Sequence, residues 1–177
     1  MTARGCELLA EQSKLNQPEQ KVAVPKASNG LSIVVNGDGC IAGRMCSHVA
    51  KLLLKGYQVT IVNAEKAMVS GDRHRIINSF KEDLEINSAT NPIHGPFHPR
   101  RPDRILTKMI RGMVPKRKSS GIKAFKHLRV YIGIPSQLKD SKMELFEDSK
   151  IRKPASFYIS IGDVAEEIGW KGITPVG

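Results

Sequence analysis

Between residues 31 and 62 the apolar residues change their spacing twice, and this limits the fold more than any other feature of the 177-residue chain. Leu31–Val35 is a short β-branched run, the pattern of a buried strand. Gly37, Asp38 and Gly39 break it. From Ile41 to Lys55 the period becomes helical: Ile41, Met45, Val49, Leu52 and Leu53 share one face. Arg44, His48, Lys51 and Lys55 share the other, within an arc of about 60° at 100° per residue. Gly56 follows the last turn, where glycine commonly ends a helix, and Tyr57–Val62 reads as a second strand. Strand, helix and strand within about 30 residues form a βαβ unit, with a parallel pair and a right-handed crossover. The expected fold class is therefore α/β.

The length suits one domain, since domains run to about 100–200 residues. Hydrophobic residues make up 40% of the chain, enough for a core without disulfides or a structural metal. Residues 1–30 lack an apolar period and hold Pro18, Pro25 and a Ser28-Asn29-Gly30 turn signal. They are expected to form a flexible extension, with a domain over 31–172 and a short tail over 173–177. Ser70 is a candidate cap for a helix over Arg73–Ile86, where Ile76, Ile77, Phe80 and Leu84 keep helical spacing. Asn87–Pro102 contains four prolines and reads as a long irregular loop, a kind that usually carries function. Pro102 suits the first position of a helix that Pro115 ends. A basic turn over Lys116–Gly121, a short helix over Ile122–Leu128 and a strand over Arg129–Ile134 come next. Ser136–Pro154 reads as loop or weak helix, Phe157–Ile161 as a strand and Gly162–Ile168 as a short acidic helix.

The formal net charge is +11, and it is not spread evenly. Residues 98–129 carry eleven bases and a single acid, Asp103, for a net +10. A block this lopsided points to a partner of opposite sign. Within it, Arg101, Arg104, Lys108 and Arg111 fall within about 80° of one helix face. Ile105, Leu106, Met109, Ile110 and Met113 centre on the opposite face. Such a cation stripe is the electrostatic footprint of a nucleic-acid-binding helix, and arginine's planar fork suits phosphate. Lys116, Arg117, Lys118, Lys123 and Lys126 extend it. His94 and His98 lie in the proline loop beside Arg100, and Arg44, His48 and Lys51 form a smaller polar face on the first helix. All of these are candidate RNA-contacting residues. Only nine residues are Phe, Tyr or Trp, so a mode that stacks many bases is disfavoured.

Other classes fit poorly. No apolar run approaches the roughly 20 residues of a membrane span, and no secretory signal is evident. Cys6, Cys40 and Cys46 have neither zinc-site spacing nor an even count, which fits a reducing, intracellular setting. A metal site at His94 and His98 is opposed by the surrounding arginines. The alternative that merits weight is a nucleotide-binding enzyme of doubly wound type. Gly37-Asp38-Gly39 with Gly43 follows a strand and opens a helix, and Glu65 stands 22 residues beyond Gly43. The spacing is G-x-G-x-x-x-G rather than G-x-G-x-x-G, however, and Asp38 sets a negative charge where a phosphate would lie. Asp38 is also a candidate helix cap.

Five segments carry a resemblance: GDGCIAGRMCSHVAKLLLKG (37–56), VTIVNAEKAMVSG (59–71), TNPIHGPFHPRRPDRI (90–105), IRGMVPKRKSSGIKAFKHLRVYIGIP (110–135) and ISIGDVAEEIGWKG (159–172). In this order they resemble the universal L-thirteen family of large-subunit ribosomal proteins, in its archaeal and eukaryotic form. The resemblance implies a compact single α/β domain with a mostly parallel sheet and flanking helices. It implies a structural constituent of the large ribosomal subunit in the cytoplasm, with transit through the nucleolus during assembly in a eukaryotic cell. Its partners would be ribosomal RNA and neighbouring ribosomal proteins, with no catalysis, cofactor, membrane or small-molecule substrate. The family's RNA-contacting elements map onto Arg44, Arg100, Arg101, Arg104, Arg111, Lys116, Arg117 and Lys118. Residues 1–30 and Ser136–Ala155 fall outside the family pattern. So does the end at Gly177, where many eukaryotic members continue into a long basic helix.

Overall fold

The computed structural model describes residues 32–139 and 141–172. The expected extension over 1–30 and the tail over 173–177 lie outside the described residues. The βαβ unit is present as β1 (Ser32–Asn36), α1 (Ala42–Leu54) and β2 (Gln58–Val62). Next come β3 (Met68–Ser70), α2 (Arg73–Glu85), α3 (Pro102–Met113), α4 (Ser119–Lys126) and β4 (Leu128–Val130). The order closes with β5 (Met143–Glu144), β6 (Tyr158–Ser160) and α5 (Ile161–Glu167).

The main sheet has the order β4-β2-β1-β5, and each of its pairings is parallel. The register of the central pair runs from Ser32 opposite Gln58 to Asn36 opposite Val62. A separate antiparallel pair joins β3 to β6. Val35, Val59, Ile61 and Val62 are completely buried, as expected where helices cover a parallel sheet. Met45, Val49 and Leu53 of α1 and Leu106 and Ile110 of α3 are buried as well, and α1 packs against α3 and α4. Among the described residues no helix is long and apolar enough to cross a membrane.

Several sequence expectations need correction. Ser70 does not cap α2; it ends β3, and the Asp72 carboxylate accepts the Arg75 N–H instead. Asp38 does not cap α1. The N-cap is Ile41, and the Asp38 N–H donates to the Asn36 side chain at 3.0 Å. The helix expected over Ile122–Leu128 begins three residues earlier, at Ser119, and Leu128 belongs to β4. The strand expected over Arg129–Ile134 leaves the ladder just after Val130. Its alternation continues to Ile134, but Gly133 turns through a φ of 67° and Ile134 is exposed. Ser136–Pro154 is not merely loop: it supplies β5, the edge strand beside β1. Met113, expected on the apolar face of α3, is 44% exposed, although Ile110 and Val114 on either side of it are buried.

Cys40 directly follows the glycine turn and Cys46 lies in α1, and both are buried. Burial pushes the Cys46 thiol up to about 12. Cys40 is raised too, by burial first and the Asp38 charge second, with Lys150 acting in the other direction. The thiolate is the nucleophile, so neither should react in the native protein. At pH 8 iodoacetamide should leave both unmodified until denaturant is added, as read by site-resolved mass spectrometry. Rapid native labelling of Cys46 would contradict this packing.

Candidate nucleic-acid interface

The basic helix is specified locally. Pro102 occupies its first position, where the missing N–H costs nothing, and Asp103 lies in the first turn, where the helix dipole favours an acid. Arg111 stands in the last turn, where a cation is favoured. Pro102, Ile105, Leu106 and Ile110 are buried, which fixes the rotation of α3 about its axis. Arg104, Lys108 and Arg111 consequently face solvent.

Arg101 is exposed as well, but its guanidinium is committed. Nε donates to one Asp103 oxygen at 3.1 Å and a terminal nitrogen to the other at 3.2 Å. This fork-to-fork pairing neutralises the one acid of the segment and takes Arg101 out of the free stripe. Arg129 is also occupied, donating to the carbonyls of Lys126 and Leu128 at the end of α4. Besides Arg100, which precedes α3, the free cations along α3, the turn and α4 are therefore Arg104, Lys108, Arg111, Lys116, Arg117, Lys118, Lys123 and Lys126. Each is exposed, and none has a carboxylate within 4.0 Å among the described residues.

The turn between α3 and α4 depends on Gly121. The Lys118 N–H donates to the Pro115 carbonyl at 3.0 Å, folding the chain tightly before α4 begins. A Cβ at Gly121 would overlap that same carbonyl. Glycine at this point allows Lys116, Arg117 and Lys118 to sit close against the new helix.

The remaining sequence candidates are placed differently. Arg100 is exposed and lies near Gly169, which terminates α5 with a φ of 98°. His94 is exposed in the short 3₁₀ turn Pro92–His94. His98 Nε2 lies 3.0 Å from the Ile86 carbonyl. A carbonyl only accepts, so this nitrogen carries the proton and ties the proline loop to the end of α2. Lys51 is exposed on α1. His48 stacks on Phe146, with ring centroids 5.0 Å apart, and its Nε2 is 4.0 Å from the Asp148 carboxylate. An Arg44 guanidinium nitrogen reaches the Asp148 carbonyl at 3.4 Å. Arg44 and His48 thus anchor the 146–150 segment across the start of α1, away from the stripe of α3.

That segment also bears on the nucleotide alternative. The Ile41 N–H, at the N-cap of α1, donates to the Ser149 carbonyl at 2.7 Å. The Gly39 carbonyl accepts from Ile151 at 3.3 Å. The turn that would cradle a pyrophosphate is used to dock the protein's own chain. Gly37 has a packing reason, since a Cβ there would come within 3.0 Å of the Asn63 carbonyl oxygen. Glu65, the acid a ribose would need, accepts the Gly133 N–H at 3.0 Å. The nearby groove sets four acids, Asp38, Glu65, Asp163 and Glu166, against a single cation, Lys66, a balance that disfavours phosphate. Calorimetric titration with NAD, NADP or ATP should therefore show no saturable heat. A micromolar dissociation constant for any of them would restore the enzyme reading.

Sequence reasoning missed the joint between β1 and β2. Asn63 is buried in left-handed conformation (φ 57°, ψ 44°), and its side-chain amide donates to Asn36 at 2.9 Å. Asparagine is one of the few residues that tolerates this backbone. The local hint was Asn63 itself, standing directly after the β-branched run Val59–Val62.

Among the described residues no cluster of His, Cys, Asp and Glu could hold a metal ion. Comparison with known proteins finds relatives that are ribosomal proteins rather than enzymes. The large ribosomal subunit protein uL13 of Aeropyrum pernix is 43% identical over 141 residues, 79% of this chain and 91% of the relative. Its counterpart from Sulfurisphaera tokodaii is 41% identical over 138 residues, 77% of this chain and 94% of that protein. The one from Methanococcoides burtonii is 40% identical over 139 residues, covering 78% and 98%. The family model described as ribosomal protein L13 matches residues 31–137, a stretch that includes the βαβ unit, the proline loop and the whole basic helix and turn, and the chain belongs to that family.

Proposed function

We propose that the protein is a structural constituent of the large ribosomal subunit, holding ribosomal RNA through α3, the 116–118 turn and α4. It resides in the ribosome beside other large-subunit proteins and, in a eukaryotic cell, would pass through the nucleolus during assembly. Residues 31–172 act as the folded domain, with 1–30 and 173–177 as appendages. The observation that carries the reading is the set of eight exposed cations on one continuous segment with no carboxylate beside them among the described residues. Contacts would fall mainly on phosphates and sugars, since the deep major groove of A-form RNA excludes side chains. Arg44 and His48, which brace the 146–150 segment, would contribute less than the α3 stripe.

The test replaces Arg104, Lys108 and Arg111 by Gln, which preserves helix propensity and leaves the buried face intact. The melt should be nearly unchanged. Binding to purified large-subunit ribosomal RNA should weaken, and its salt slope should shrink by up to about three phosphates' worth. A control triple changes Lys139, Lys142 and Lys150 to Gln, outside the basic segment. Equal damage from the control would show that the interface is not on α3.

A further inference from the structure

The loop joining α2 to α3 displays two large apolar side chains openly: Ile93 is 87% exposed and Phe97 83%. Surface display on this scale is unfavourable for a free protein unless something covers it. The loop is not loosely held. Asn91 accepts the Ile93 N–H through its side chain at 3.0 Å and the His94 N–H through its carbonyl at 3.2 Å. His98 fastens the loop to Ile86, and Pro102 begins α3 directly beyond it. Phe97 is therefore presented by a braced segment.

Its surroundings select the class of partner. Residues 87–101 contain no acid, and Arg100 and Arg101 stand three and four residues after Phe97. Phe97 and Arg100 are separated by at most about 11 Å of extended chain. An RNA strand whose phosphates lie on α3 would bring its bases, not further phosphates, against an uncharged ring. A benzene ring meets a nucleobase face to face and needs no particular sequence to do so.

We propose that Phe97 is a stacking platform for one unpaired nucleobase of the RNA whose phosphates lie on the adjoining basic helix. The inference rests on the RNA-binding reading above. A single stack is compatible with the scarcity of aromatics, because one contact is involved and not a series.

The experiment uses the full chain and purified, deproteinised large-subunit ribosomal RNA as the probe. Phe97→Ala, Phe97→Leu and Phe97→Trp are compared with the Arg104, Lys108 and Arg111 triple. Phe97 is exposed, so all three variants should melt like the parent. Phe97→Ala and Phe97→Leu should weaken binding about tenfold, the size of one lost base–aromatic stack. Phe97→Trp should bind at least as well as the parent, and its added indole emission should be quenched by RNA. The salt slope should be the same in all three, because no phosphate contact is removed. Parent-like binding by Phe97→Leu would overturn the proposal, since apolar bulk alone would then suffice. Parent-like RNA binding by all three, with failure to enter subunits, would also overturn it and place the ring in a protein pocket. If the Phe97 variants bind normally while the triple is weakened, the platform falls and the basic-helix reading stands. If the triple binds normally, it is the basic-helix reading that falls.

Discussion

Binding to large-subunit ribosomal RNA is expected to weaken about 10³-fold as salt rises from about 50 mM to 200 mM. Eight cations on α3, the turn and α4 lie free of carboxylates among the described residues, and about six reaching phosphates gives this figure. The slope of log K against log salt should then be close to −5. The two pairings in the segment make the expectation sharper than a count of charges would. Arg101 is locked to the Asp103 carboxylate, so it should not contribute a full unit to the slope, and Arg129 keeps its charge but spends one guanidinium nitrogen on the carbonyls of Lys126 and Leu128. Breaking the first pair with Asp103→Asn should release Arg101 and make the slope steeper by up to about one phosphate. Equilibrium binding at four or five salt concentrations decides the matter. A slope shallower than about −2 would mean that the affinity comes from something other than this charge.

Gly121→Ala should destabilise the domain by about 3 kcal/mol, the upper part of the range for an overpacked site. For a chain of this size that corresponds to roughly 6–12 °C in Tm. The added methyl would overlap the Pro115 carbonyl, which is backbone and cannot swing aside. Either the α3–α4 turn opens or α4 shifts on α1. Both routes move Lys116, Arg117 and Lys118, so RNA binding should weaken along with the melt. Gly112→Ala is the natural comparison, nine residues earlier and inside α3. Nothing lies within 4 Å of a Cβ there, and the position is exposed. Relief of the helical glycine cost should stabilise the protein by up to about 1 kcal/mol. The same chemical change thus has opposite signs at two neighbouring glycines. A melt for Gly121→Ala within a degree of the parent would show that the turn is not packed as described.

The two glycines also mark where sequence reading stops. Both stand in or beside a basic stretch, and nothing in their neighbours separates them. Only the folding-back of Pro115 onto α4 does so. The βαβ unit, by contrast, was legible from residues 31–62, because its signal is periodicity: β-branched runs for the strands, a helical repeat for α1 and a glycine at the boundary. The rotation of α3 was legible for the same reason, since Ile105, Leu106 and Ile110 must turn inward and the cations follow them outward. The concentration of charge in 98–129 is a property of composition and needs no fold to be seen.

What escaped is what distant segments do to one another. β3 and β5 are three and two residues long, too short to show a period, and they exist as strands because a partner far along the chain supplies the ladder. Ser70 and Asp72 are equally good caps on paper; pairing of Ser70 with Tyr158 removed the first from contention. Arg44 and His48 read as part of a polar helix face, yet the 146–150 segment, about 100 residues on, reaches that face and engages both. Sequence alone thus determined the α/β class, the inward face of each main helix and the location of the positive charge, because these depend on residue type and on near neighbours. The tertiary structure alone decided which cations are free, which glycines are irreplaceable and which loop plugs the apparent phosphate turn, because each of those depends on a contact that exists only after the chain has closed on itself.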